Sequence, residues 1–386
     1  MKKIRILGKG KTALALKEVY KDAEIFDDSE IDLFDKESDT LTVVSPGIPP
    51  NNILVKSSIN LISDYDLFYE EMPFSIWISG TNGKTTTTQM CQVVLEDLNS
   101  SYGGNIGIPL SKLDKSKNIW ILETSSFTLH YTKEAKPNIY ILLPISHDHI
   151  TWHGSYEAYK EAKLKPLEFM QENDIAIIPN EFKDIETSAH LISYSNSDDL
   201  CEHFKIDKEK INFKEPFLLD AILALCTKKI LTDKIDYEKI NSFRIDKHKV
   251  EEFYDRKNRL WIDDSKATNY DATLNALIPY YDKKIHLILG GDDKGVDLNI
   301  LFETISKLNL IVYAIGSNYY RIITYCKSYN IEVLECRTLD IAVSRIDENL
   351  QKDDIAILSP AAASLDQYSS YLQRGEEFKK FVFNLS

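Results

Sequence analysis

With 386 residues, 43% of them hydrophobic and 27% charged, the chain is too long for one small core and has the composition of two or three ordinary globular domains. Its net charge of −14 excludes nucleic acid as a general partner, because a phosphate backbone requires a basic surface. An anionic small substrate is not excluded, since a few local cations suffice to hold one. The five cysteines, Cys91, Cys201, Cys226, Cys326 and Cys336, contain no Cys-x-x-Cys pair, which fits a reduced setting. The apolar run after Met1-Lys2-Lys3 is too short for a signal peptide, and no later stretch is long enough to span a bilayer. A cytoplasmic protein with no membrane insertion is expected.

Ile4-Arg5-Ile6-Leu7 reads as a strand, followed by Gly8-Lys9-Gly10-Lys11-Thr12 and a helical pattern over residues 13–19. Strand, glycine turn and helix in that order suit a dinucleotide-binding fold, although the third glycine of its fingerprint is missing. A second strand ends at Ile25-Phe26, with Asp27-Asp28 behind it. A third, residues 41–44, opens into Ser45-Pro46-Gly47-Ile48-Pro49-Pro50. Gly47 thus sits at the carboxyl end of a strand, where open α/β sheets bind ligands; a plain proline-glycine turn has the same spacing. Residues 65–73 read as a connection, and a small first domain is expected to span residues 1–72.

The next segment begins with the apolar strand Ile76-Trp77-Ile78-Ser79, turns through Gly80-Thr81-Asn82-Gly83, and enters a helix at Lys84-Thr85-Thr86. That is the layout of a phosphate-binding loop. Glycine lets the backbone pass close to a ligand, and the exposed amides of a helix start favour negative charge. Lys84 can reach the outer phosphates as a point charge, and the Thr85 hydroxyl can ligate magnesium. A glycine turn with a solvated lysine is the plainer alternative, but strand, loop, Lys-Thr pair and helix all stand in the order that ATP binding requires. Residues 119–122, 139–143 and 175–178 are further short apolar strands of a buried parallel type. Glu123 follows the first of them, and His147-Asp148-His149 with Trp152-His153 follow the second. Strand ends beside a phosphate loop face the nucleotide, so Glu123 and His149 are candidate magnesium ligands, the carboxylate oxygen being the better suited. A histidine at a loop is otherwise a hydrogen-bonded structural residue. The charged residues 198–215 read as a solvated, mobile surface.

From residue 246 a further sheet is expected, with strands at 260–262, 285–289, 310–315, 331–334 and 355–358 and helical patterns between them. Small and polar residues cluster at the ends of these strands. Asp264-Ser265-Lys266-Ala267-Thr268-Asn269 follows the first, Gly290-Gly291-Asp292-Asp293-Lys294 the second, and Ser359 to Tyr368 the last. Lys266, Lys294 and Ser364 suit the grip of a carboxylate-bearing substrate, though each could be a solvated loop residue.

Taken together, Gly80-Thr81-Asn82-Gly83-Lys84-Thr85-Thr86, Gly103-Gly104-Asn105-Ile106-Gly107, Glu123-Thr124-Ser125-Ser126-Phe127, His147-Asp148-His149 and Asp264-Ser265-Lys266-Ala267-Thr268-Asn269 resemble the Mur ligases. The last of these, with Leu289-Gly290-Gly291-Asp292 and the tail from Ser359 to Gln373-Arg374-Gly375, looks like the members that add D-glutamate; the Asp-Asn-Pro-Arg motif of the diaminopimelate- and lysine-adding members is absent. The resemblance covers nearly the whole chain. It implies an α/β protein of three domains: a small Rossmann-like N-terminal domain for a UDP-sugar, a central P-loop ATPase domain at residues 73–245 with a mostly parallel sheet, and a C-terminal Rossmann-like domain at residues 246–386 for the amino acid. It further implies an ADP-forming ligase that joins D-glutamate to UDP-N-acetylmuramoyl-L-alanine, acting as a monomer with ATP and magnesium as one or two ions. Gly80, Thr81, Asn82, Gly83, Lys84, Thr85 and Thr86 would bind ATP, helped by Asp220, Lys249 and Asp264. Thr85, Glu123, His149 and Lys163 would hold metal, Lys163 as a carbamate. Lys84, Glu123, His149 and Lys163 would be catalytic. Gly47, Asn105, Lys266, Thr268, Lys294, Ser364 and Tyr371 would bind substrates.

The chain departs from the family pattern in places. Lys249 follows His248 where arginine is usual, reducing a bidentate phosphate contact to a point charge. Phe217 and Asp220 stand where asparagines usually hold adenine, Thr151 replaces an aspartate, and Pro166 interrupts the helix that carries Lys163. Two other functions fit parts of the pattern. A folylpolyglutamate synthase shares the loop and the reaction type, and a non-catalytic ATP-binding regulatory protein needs only the loop.

Overall fold

The computed structural model describes residues 3–385. It is α/β throughout and contains three sheets. The first is parallel and four-stranded, in the order β2-β1-β3-β4, from β1 (Ile4–Leu7), β2 (Glu24–Phe26), β3 (Leu41–Val44) and β4 (Leu61–Ile62). The second comprises β5 (Phe74–Ser79), β6 (Ser100–Gly104), β7 (Ile119–Glu123), β8 (Ile139–Leu142), β9 (Ile175–Pro179) and β10 (His190–Tyr194), all parallel, in the order β10-β9-β8-β5-β7-β6. Its central strands are continuous apolar runs because helices cover both faces. β5 lies between β7 and β8, so the strand order reverses at the loop that leaves β5, which is where open sheets take ligands.

Two compact units result, one of residues up to 213 and 217–243 that holds the first two sheets, the other of residues 214–216 and those from 244 on that holds the third. In the first unit, Ile4, Ile6, Tyr65, Phe68, Trp77, Trp120 and Tyr140 share one core cluster. Residues 65–73, expected as a bare connection, begin inside the helix Asp64–Phe68, capped reciprocally by Ser63 and Asp66. Tyr65 and Phe68 are buried, and the Tyr65 ring meets Trp77 edge-on at 4.7 Å. Residues 198–215 also differ from expectation. The helix Ser197–Phe204 buries Leu200, Cys201 and Phe204, and Ile206 and Ile211 continue into the same core. Only its charged face is solvated; the apolar residues were masked by the acids and lysines between them.

The second unit contains β11 (Glu251–Tyr254), β12 (Leu260–Asp263), β13 (Ile285–Gly290), β14 (Leu310–Ile315), β15 (Glu332–Arg337) and β16 (Ile355–Leu358), in the order β11-β12-β16-β13-β14-β15 with β11 antiparallel to β12. The strands that sequence reading missed, β4, β6, β10 and β11, all lie at sheet edges, where half-exposure dilutes the apolar run. Among the described residues no helix is long and apolar enough to cross a membrane.

Candidate active site

β5 ends at Ser79, and the chain turns at once through Gly80 and Gly83, both at positive φ (140° and 83°). A Cβ at Gly80 would lie 2.4 Å from Leu143 Cβ, and one at Gly83 would lie 2.7 Å from Asp220 Oδ1, so both positions require glycine. Thr81 pins this loop to the segment after β8. Its N–H donates to Pro144 O (3.1 Å), its hydroxyl lies 2.9 Å from Tyr159 Oη, and the Ser146 N–H donates to Thr81 Oγ1 (2.9 Å). The helix Lys84–Leu95 then starts with backbone N–H groups that a first turn cannot satisfy internally. The Lys84 ammonium crosses the loop and donates to Gly80 O (2.9 Å) and Thr81 O (2.7 Å). Burial holds its pKa below that of an ordinary lysine, against the pull of Glu123 and Asp148.

Lys163, in the last turn of the helix Tyr156–Leu164, reaches the same carbonyl: its Nζ donates to Gly80 O at 2.7 Å. It is 1% exposed. Burial first and Lys84 second drive its amine well below the usual lysine range, with Asp148 and Glu123 opposing. As expected, the helix stops before Pro166, which opens the short helix Pro166–Phe169.

Glu123, at the end of β7, is 4% exposed. Its Oε2 accepts the Thr85 hydroxyl and its Oε1 the Asn105 side-chain amide, both at 2.7 Å. His149 precedes the helix Ile150–His153 in the left-handed region (φ 54°), its N–H donating to Asp148 Oδ1 (2.8 Å) and its ring 4.7 Å from Phe127. Asp220, on the helix Phe217–Thr232, accepts the Thr87 hydroxyl at 2.8 Å, which sets it directly beneath Gly83. Gly47 is exposed in the loop after β3.

In the second unit, three neighbouring strands, β12, β16 and β13, end in the loops that carry Lys266, Ser364 and Lys294. Backbone hydrogen bonds of 2.9 Å in both directions between Asp292 and Ala363 tie two of these loops together. Arg374, 1% exposed, ties in the third: its guanidinium donates to Ser265 Oγ (3.0 Å), Ser265 O (2.8 Å) and Ala362 O (3.1 Å). Lys266 Nζ lies 5.7 Å from the centroid of the Tyr371 ring. Thr268 and Lys294 are exposed, and Lys294 has φ 52°. Lys249 pairs with Asp246 at 3.0 Å and stands between His248 (φ 63°) and Val250 (φ 47°). Asp264 is interior: its oxygens accept Ser359 Oγ (2.6 Å) and Val250 N (3.3 Å), so its side chain joins the Lys249 segment to the end of β16.

A model of the Mur ligase middle domain matches residues 78–216. A UDP-N-acetylmuramoylalanine–D-glutamate ligase of Campylobacter jejuni (strain 81-176) is 49% identical over 98% of this chain and 99% of its own. One from Helicobacter pylori (strain 26695) is 45% identical over 98% and 99%. The chain belongs to the UDP-N-acetylmuramoylalanine–D-glutamate ligase family. Among solved structures, MurF ligase from Thermotoga maritima in complex with ADP aligns over 99% of this chain and 95% of its own with a TM-score of 0.61 at 14% identity, a likeness of fold.

The residues present fit a magnesium ion of the kind a Mur ligase implies. Glu123 is a buried carboxylate already bonded to the Thr85 hydroxyl, an all-oxygen donor pair suited to a hard divalent cation. The site residues expected in the first unit gather around the ends of β5 and β7, apart from Gly47 and His149, the latter exposed and packed on Phe127; those of the second unit divide between the three loops, the start of the helix Tyr371–Phe383 and the Lys249 segment. Sequence reading missed Asp148, whose charge acts on both lysines, and Arg374, which organises the loops of the second unit. An acid between two histidines was the only signal for the first.

Burial raises the Asp264 carboxyl to about 8. A carboxyl that titrates higher in the folded chain keeps a proton that the unfolded chain, with a value near 4, has lost; stability therefore falls as pH rises between those values. The melting temperature of the second unit is accordingly expected to drop as pH rises from about 4 to about 8. Asp264→Asn should flatten that slope. An unchanged slope in the variant would assign the titration elsewhere.

Proposed function

We propose that this Mur ligase phosphorylates the carboxylate of UDP-N-acetylmuramoyl-L-alanine with ATP and joins the resulting acyl phosphate to the amine of D-glutamate, releasing ADP and phosphate. It acts in the cytoplasm, as a monomer, in peptidoglycan precursor synthesis. The observation that carries this reading is the meeting, at the neighbouring ends of β5 and β7, of two lysines on Gly80 O and of Thr85 and Asn105 on Glu123. A carboxylate is a poor acyl donor, and phosphorylation makes it a good one. In this reading Gly80 to Thr86 cradle the ATP phosphates, Lys84 neutralises charge on the phosphoryl group in flight, and positioning accounts for most of the remaining rate. Thr85 and Glu123 would hold one magnesium ion, and His149 with Lys163 as its carbamate a second; the ions supply further neutralisation of phosphate charge. A lysine held toward its neutral form by burial is the form that adds carbon dioxide, which supports the carbamate.

Asn105 and Gly47 contact the nucleotide sugar, Asp220 the adenosine side of the phosphate loop, and Lys249 and Asp264 the nucleotide from the second unit. Lys266, Thr268, Lys294, Ser364 and Tyr371 form the D-glutamate pocket. The proposed domains are residues 1–72, 73–245 and 246–386. A folylpolyglutamate synthase-like ligase would open with its ATPase domain, whereas a four-stranded sheet precedes the phosphate loop here.

The test is phosphate release from ATP with UDP-N-acetylmuramoyl-L-alanine and, in turn, D-glutamate, L-glutamate, L-lysine or no amino acid. Release that needs both the nucleotide sugar and D-glutamate is expected. Release with another amino acid would reassign the pocket around Lys266, and ATP binding without stimulated release would favour the non-catalytic protein. Stripping carbon dioxide in the same assay should slow turnover, and bicarbonate should restore it.

A further inference from the structure

The loop that follows β3 carries three prolines and faces solvent at Gly47, yet two of its carbonyls are gripped by aromatic side chains from helices that follow β7 and β8. The Tyr131 hydroxyl donates to Ile48 O at 2.7 Å, and the Trp152 indole N–H donates to Gly47 O at 3.3 Å. Tyr131 is 5% exposed and packs in one cluster with Leu7, Phe34, Val44 and Leu54, which belong to the first sheet and its helices. Ile48 extends the grip to the glycine turn after β1, since a Cβ at Gly8 would come within 2.9 Å of Ile48 Cδ1.

Both aromatic residues are rooted where the chemistry is expected. Tyr131 ends the helix Ser126–Tyr131, which starts three residues after Glu123. Trp152 lies on the four-residue helix that His149 opens. Its ring stacks on Phe127 at 4.5 Å, and Phe127 in turn meets His149 at 4.7 Å. A continuous path of contacts thus runs from Gly47 O through Trp152 and Phe127 to His149.

We infer that Trp152 and Tyr131 are positioning residues for the nucleotide sugar: they hold the backbone of Gly47 and Ile48 in register with the phosphate loop. The inference rests on the ligase reading above and extends it, assigning to two residues that touch no phosphate the placing of the acyl substrate. Hydrogen bonds to a main-chain carbonyl suit this task. The side chain of a loop residue can swing, whereas two anchored consecutive carbonyls fix the peptide planes from which a ligand is contacted.

Trp152→Phe keeps the stack on Phe127 and deletes the donor; Tyr131→Phe keeps the buried ring and deletes the hydroxyl. Each is expected to raise KM for UDP-N-acetylmuramoyl-L-alanine roughly three- to tenfold, the effect of one lost hydrogen bond. The KM values for ATP and D-glutamate and the kcat should stay within about twofold, because uniform binding alone is lost. Calorimetric titration of the nucleotide sugar should show the same weakening in both variants. A merely structural role would lower the melting temperature and the active fraction without separating the three KM values, and that outcome overturns the inference. So does an unmoved KM for the nucleotide sugar in Trp152→Phe, the half-exposed and safer of the two. A wild-type chain that binds the nucleotide sugar but does not turn over would sink the ligase reading alone, leaving the calorimetric comparison to judge this one. A wild-type chain that does not bind it would sink both.

Discussion

Replacing Lys84 by methionine is expected to lower kcat for phosphate release on the order of a thousandfold while leaving the chain folded. Methionine keeps the unbranched apolar stem and deletes the charge. The deleted ammonium sits across the mouth of the loop, bonded to Gly80 O and Thr81 O, where charge on a transferring phosphoryl group would be met at short range and in partial isolation from water. The fold should survive because Gly80 O still accepts from Lys163 and Thr81 still bonds Ser146. Removing Lys84 also removes one of the two causes that depress Lys163, whose pKa should rise. Turnover, the melting temperature and calorimetric ATP binding separate the effects. A loss smaller than about tenfold would mean that phosphate charge is met mainly by other groups.

Gly290→Ala should destabilise the second unit by about 4 kcal/mol, the sum of a forbidden backbone conformation and an overpacked contact. Gly290 ends β13 at φ 125°, and a Cβ there would stand 1.9 Å from Ile315 O and 2.8 Å from Ile315 C. Ile315 is its own partner on β14, so the clash is backbone against backbone and no side chain can swing aside. The two strands must part where the loop carrying Lys294 leaves the sheet. Gly295 supplies the contrast. It too has positive φ (73°), but a Cβ there meets nothing within 4 Å. Gly295→Ala should therefore cost only about 1 kcal/mol, the conformational part alone. Thermal unfolding followed on the transition of the second unit checks both. Equal losses at the two positions would show that backbone conformation dominates and the Ile315 contact relaxes cheaply.

What the sequence by itself determined is what is local along the chain. The phosphate loop is written in seven consecutive residues, because glycines, lysine and threonine act through the backbone they share. The central strands are legible because full burial makes them unbroken apolar runs, and Glu123, His149, Lys266 and Lys294 could be picked out as polar residues at their ends. Edge strands such as His190–Tyr194 were not legible, since one solvated side interrupts the pattern. Only the tertiary structure decided which strand ends face each other. β5 lies between β7 and β8, and that order brings Lys163 onto Gly80 O across 83 residues, while the packing of the first sheet beside the second brings Trp152 onto Gly47 O across 105. No periodicity encodes such a pairing. A strand's hydrophobic pattern specifies that it is buried and which way its side chains alternate, while its neighbours are chosen by the packing of every helix that connects them. Asp148, Arg374, Tyr131 and Trp152 belong to that second kind of information. Each acts on a partner that only the packing of sheets and helices supplies.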